Sequence, residues 1–117
     1  MEKIEDFIVK TNEIKWKPLV EKKVITDGIF VIPLRHIETG RAPSIMLKFE
    51  AGARYPYHNH PAGEELFVVE GSCWINDAKL EKGDYLYTPP NAKHSVRSET
   101  GCVLLFIIPG EVEIIQE

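Results

Sequence analysis

Cysteine is scarce in this chain: Cys73 and Cys102 are the only two in 117 residues, and they form no C-x-x-C pair. Neither a disulfide framework nor a thiolate zinc finger can therefore organise the fold. Long apolar stretches are missing as well. The longest run, Cys102 to Ile108, falls far short of the roughly 20 residues that cross a bilayer as a helix. The stretch Met1 to Asp6 is charged and has no apolar segment of the kind a secretion signal carries. A reduced, cytoplasmic protein with no membrane partner is the expectation. The net charge is −4 and no block of five like charges occurs, so nucleic acid is not an expected partner. Helical periodicity is nearly absent too, Glu2 to Lys10 being the one stretch that approaches it.

What the chain does contain is punctuation. Eight glycines and eight prolines are spread along it, with short apolar runs between them, the pattern of an all-β protein. A length of 117 residues suits one domain with one core. Residues 1–20 read as an N-terminal arm in which Trp16 plugs one end of a barrel. Asp27-Gly28 turns the chain into a strand from Ile29 to Leu34, and Thr39 to Pro43 turns it again. Ser44 to Glu50 alternates, with Ile45, Leu47 and Phe49 on one face and Met46 and Lys48 on the other. Further strands follow at Ser72–Ile75, Tyr85–Thr88 and from His94, where Val96 shares a face with the histidine. The run from Cys102 to Ile108 reads as a strand buried on both sides, and Val112 to Ile115 as a last short one. Some eight to ten short strands of this kind predict an antiparallel sandwich or barrel.

The chemistry concentrates between Gly52 and Gly71, G-A-R-Y-P-Y-H-N-H-P-A-G-E-E-L-F-V-V-E-G. On a strand, residues two apart share a face, so His58 and His60 aim the same way. Glu64 follows through a Pro-Ala-Gly turn that can bring its carboxylate back to the same point. With His94 after the Pro89-Pro90 turn, three imidazoles and a carboxylate form a donor set suited to Fe, Mn, Ni, Zn or Cu. Taken singly, each of these residues reads better as a surface histidine on an edge strand or a solvated charge. It is the agreement of spacing and turn placement that favours one divalent transition metal (Zn, Fe, Mn or Ni) per chain.

These residues also resemble a known family. Gly52 to Gly71 matches the first cupin motif, G-x5-H-x-H-x3-4-E-x6-G, at every fixed position. Gly83, Pro89 and His94 match the second, G-x5-P-x-G-x2-H-x3-N, with Asn91 in place of its glycine and Ser98 in place of its asparagine. Asn tolerates the left-handed backbone a tight turn requires, and neither change removes a ligand. The resemblance implies a small double-stranded β-helix, often dimeric. Its metal would sit in the wider mouth, held by His58, His60, Glu64 and His94, with the core of the domain at residues 44–108. Pro61 to Glu65 and Gly101-Cys102 are similar to the cupin domain of ChrR-type anti-sigma factors and its single-domain relatives. The helical sigma-binding domain of those proteins has no room here.

The functions that follow are a small-molecule metalloenzyme of dioxygenase, isomerase or decarboxylase type, or a non-catalytic zinc-binding sensor module. A metal-free sugar-modifying cupin with a histidine base is a third, which the complete ligand set disfavours. Alternation turns Glu65 outward if Glu64 points in. Tyr55, Tyr57, Trp74, Tyr85 and Tyr87 read as packing residues, Arg54 and Arg97 as solvated, and His36 as lying outside any site. Cys73 and Cys102 read as two buried thiols.

Overall fold

One long strand, β5 (Glu64–Ile75), serves two sheets at once. Its first part pairs with β9 (Cys102–Ile107) on one side and β7 (Tyr85–Thr88) on the other. Its last four residues pair instead with β6 (Ala78–Glu81) and β8 (His94–Arg97). The changeover falls at Gly71, whose φ is +74°. A Cβ there would sit 2.3 Å from the Gly101 carbonyl oxygen and 2.9 Å from Cys102 Cα, so only glycine lets β5 bend while keeping its contact with β9.

The remaining strands of the computed structural model, which describes residues 2–35 and 42–115, extend each sheet outward. Beyond β9 lie β3 (Ser44–Phe49), β2 (Ile29–Arg35) and β1 (Lys17–Pro18). Beyond β8 lie β4 (Arg54–Asn59) and β10 (Glu113–Ile114). Every pairing is antiparallel. The chain is all-β, as its turn-punctuated sequence predicts.

Strand alternation places the core between the two sheets. Leu66 and Val68 of β5, Leu47 and Phe49 of β3, Leu104 and Phe106 of β9 and Val96 of β8 all face inward and are buried. Each such side chain stabilises the fold by roughly 1.5–3 kcal/mol relative to its exposed state. This interior closes around the imidazoles at one end.

Several expectations are corrected here. The run from Cys102 is not buried on both faces: Cys102, Leu104 and Phe106 are buried, Val103 and Leu105 are half-buried, and Ile107 is 42% exposed. Among the described residues no second sheet packs on the outer face here. Trp16 does not plug a barrel end. It lies half-buried with the Lys48 ammonium 5.3 Å from its ring centre and 5.4 Å from that of Phe30. Lys48 points opposite to Leu47 and Phe49, which puts this cation–π stack on the outer face. The Glu2–Lys10 stretch yields only a 3-10 turn, Ile4–Phe7, followed by Thr11–Glu13, and neither buries a residue. Without an apolar stripe packed against the barrel, a longer helix gains nothing. Tyr85 and Tyr87 are more than half exposed on the outer face rather than packed inside. His36 and most of the expected turn at Thr39 to Pro43 lie outside the described residues.

Candidate metal centre

Strand pairing and two tight turns assemble the four expected residues. His58 on β4 is the direct partner of His94 on β8, so their rings lie 4.6 Å apart, centre to centre. His60, two residues on, brings its ring to 4.7 Å from His58 and 5.6 Å from His94. The chain then reverses through Gly63, whose N–H donates to the His60 carbonyl at 2.9 Å, and Glu64 enters β5 pointing back at the same spot. Asn91, where the cupin motif has glycine, adopts φ +70°. The left-handed turn is therefore kept, and it feeds His94 into β8.

The four side chains are buried, and one donor atom from each can be chosen so that all lie within 4.8 Å of one another. Among the described residues no other group of three or more His, Cys, Asp or Glu converges in this way. A transition metal at about 2.0–2.2 Å from each donor needs donors separated by roughly 3–4 Å, so a small contraction suffices. The orientation of the donors is more telling. His60 Nε2 lies 2.7 Å and His94 Nε2 3.4 Å from the Glu64 oxygens, yet His60 Nε2, His94 Nε2 and Glu64 Oε1 have no partner with hydrogen-bond geometry. One donor atom of each thus lies close to the others. Buried polar atoms left without partners cost about 1–3 kcal/mol each, a cost that a bound cation would remove. The donor set fits a divalent transition metal.

Supporting contacts orient two of the rings and fix the tautomer of one. His58 Nδ1 is 2.7 Å from the Pro56 carbonyl; a carbonyl can only accept, so Nδ1 carries the proton and Nε2 is free to bind a metal. Thr88 Oγ1 lies 3.4 Å from His94 Nδ1 and helps to orient that ring. Burial lowers the His58 pKa to about 4, so its imidazole is neutral at pH 7. Burial also pushes the Glu64 carboxyl up, but the adjacent His60 and His94 outweigh it and hold the group below its ordinary value. A neutral His58 imidazole and an ionised Glu64 carboxylate are in the protonation states that metal binding requires.

Other residues fall as follows. Glu65 is exposed and accepts from the Tyr85 hydroxyl at 2.7 Å on the outer face. Arg54 is exposed, and Arg97 stacks at 4.9 Å over Trp74, away from the imidazoles. Cys73 and Cys102 are buried free thiols on paired strands. Their mutual hydrogen bond pushes the Cys73 thiol up and holds the Cys102 thiol down. Ser98, in the place of the motif asparagine, donates to the Ser72 carbonyl at 2.7 Å and accepts from the Gly101 N–H at 2.9 Å. It clamps the β8–β9 turn to β5.

Three residues of the site were not anticipated. Tyr55 is not simply packing: its ring meets His58 edge-on at 4.9 Å, and its hydroxyl donates to Glu21. Glu21 lines the small cavity beside the imidazoles. Asn59, between the two motif histidines, should by alternation face solvent. It is buried because β10 covers that side, and it donates to Glu113 at 2.9 Å and Asn91 at 3.1 Å. No local pattern announces any of these, since each depends on a segment distant in the chain.

The architecture agrees with the comparisons to known proteins. The family model of the ChrR Cupin-like domain matches residues 4–113. The chain belongs to the ChrR Cupin-like domain family. In overall shape it is similar to a candidate acetylacetone dioxygenase from Methylibium petroleiphilum. The TM-score is 0.81 at 19% identity, covering 99% of this chain and 85% of that one. At that identity the likeness shows the cupin fold alone. A stretch of 61 residues is 39% identical to the DNA damage-repair/toleration protein DRT102 of Arabidopsis thaliana, over 46% of this chain and 19% of that protein. Another of 51 residues is 35% identical to (R)-mandelonitrile lyase of Granulicella tundricola, over 39% of each chain. The chain thus spans well under two-thirds of the curated relatives it matches.

Proposed function

We propose that this protein binds one divalent transition metal through His58, His60, Glu64 and His94 and uses it to act on a small molecule held in the adjoining cavity. The observation that carries this reading is the convergence of four buried donors, three of them with an orphaned atom, beside a cavity of about 50 Å³. That volume takes a few waters or the reactive end of a small ligand. When bound, the metal would supply Lewis-acid or redox chemistry to an oxygen-donor ligand. The chain's own part is to orient the ligand, with Tyr55 beside His58, and to keep the site dry with apolar walls. Similarity to a candidate acetylacetone dioxygenase and to a mandelonitrile lyase supports dioxygenase- or lyase-type chemistry on a small carbonyl compound as the first activities to assay. The test is the Co²⁺ spectrum of the loaded protein. Weak five- or six-coordinate bands support open positions for a substrate; intense four-coordinate bands would favour a closed zinc module instead.

As a second part of this reading, two copies pair through the outer face of the β9-containing sheet. Phe67 lies opposite Tyr85, and Glu65 lies opposite both Tyr87 and Ile107, so the four exposed apolar side chains form one patch. Light scattering at micromolar concentration should give twice the 13.3 kDa chain mass; a monomer would refute the pairing.

A further inference from the structure

The cavity beside the four donors has an uneven chemistry. Its walls are apolar, with Leu19, Ile45, Leu47, Phe106, Ile108 and Val112 among them. Among the described residues no lysine or arginine lines it. Beyond the donors themselves, its polar side chains are Tyr55 and Glu21. Glu21 lies outside every recognised motif position and comes from the arm between β1 and β2. Its place is nevertheless built. The Leu19 N–H donates to the Ile29 carbonyl at 2.9 Å, and Thr26 Oγ1 donates to the Leu19 carbonyl at 2.5 Å. The arm is thereby tied onto the barrel, and the Tyr55 hydroxyl pins one carboxylate oxygen. Tyr55 in turn stands against the His58 ring. Among the described residues the second Glu21 oxygen has no side-chain partner, and nearby Glu64 Oε1 and His60 Nε2 are buried without hydrogen bonds.

We propose that Glu21 is the specificity residue of this pocket: its fixed carboxylate turns away anionic ligands and admits small uncharged molecules that donate a hydrogen bond. An alcohol, an enol or a hydroxy-ketone would place its oxygen toward the metal and its O–H toward the free Glu21 oxygen. A carboxylate or phosphate would bring a further negative charge into a cavity already lined by Glu64 and Glu21, where no described lysine or arginine offsets it. This selectivity rests on the metal-binding reading above.

The test loads wild type and Glu21→Gln with Co²⁺ and titrates each, by visible absorption, with azide as a small anion and with imidazole at pH 8 as a neutral donor. Glutamine still accepts from Tyr55, so the pocket keeps its shape while losing one charge. The expected result is azide bound at least about tenfold more tightly by the variant, with imidazole binding unchanged or weaker. Uptake of Co²⁺ by both proteins with azide affinities within twofold overturns the role of Glu21 alone. Equal tightening of both probes would mean a loosened mouth rather than a removed charge, and also overturns it. Failure of the wild type to take up Co²⁺ overturns the metal reading and this selectivity together.

Discussion

Acid should weaken the metal-free protein through His58, and the size of the effect follows from its surroundings. The ring is 2% exposed, and burial lowers its pKa from 6.5 to about 4. The unfolded chain therefore binds a proton that the folded chain refuses between those values. Stability from the neutral ring is complete above pH 6.5 and is lost as pH falls toward 4. The loss amounts to about 3 kcal/mol at the acid end, a large fraction of the 5–15 kcal/mol typical of a domain. The hydrogen bond from Nδ1 to Pro56 opposes the shift and is already reflected in the value. The assay is urea unfolding of metal-stripped wild type and His58→Gln at half-unit steps from pH 7.5 to 4. Other titrating groups move both curves together, so the informative quantity is their difference. It should change by about 3 kcal/mol across the window, with the wild type losing more. Parallel curves would show that His58 is not desolvated in the folded protein, and the buried donor cluster would lose its basis.

Other perturbations test different parts of the account. Gly71→Ala forces an L side chain into φ +74° and against the Gly101 carbonyl; a loss of about 3 kcal/mol or more is expected in chemical denaturation, and a loss under about 1 kcal/mol would contradict the bend. Ser98→Ala removes two buried hydrogen bonds and should cost roughly 1–3 kcal/mol, with metal content unchanged; loss of metal instead would place Ser98 in the centre itself. Stripping bound metal with a chelator should lower Tm, because the four donors come together only in the folded chain. An unchanged Tm after confirmed metal loss would uncouple the centre from the fold.

The centre was legible because its rules are local. A period of two puts His58 and His60 on one face, a Pro-Ala-Gly turn returns Glu64, and a second turn delivers His94. Even Asn91 was readable, since it tolerates the φ of +70° found there. Features that depend on which distant segment covers a face were not legible. Cys102 to Ile108 reads as doubly buried from composition, but Ile107 is exposed and only alternate residues of the strand are fully buried. Trp16 has the marks of a plug, yet the pairing of Lys17 with Val31 makes β1 an edge strand beside β2 and leaves Trp16 against Lys48 on the outer face. Asn59 looks solvent-facing until β10 pairs alongside. Glu21 carries no signal at all in a one-dimensional reading, because its position follows from the Thr26–Leu19 and Tyr55 hydrogen bonds.

The claim on which the rest depends is that His58, His60, Glu64 and His94 share one metal. Elemental analysis tests it directly, on wild type and His60→Ala purified without added metal and then dialysed after exposure to Fe²⁺, Zn²⁺, Mn²⁺ or Ni²⁺. The account requires close to one ion per wild-type chain for at least one of these metals, falling to a small fraction in the variant. A wild type that retains none of them, or a variant that retains a full equivalent, would contradict it.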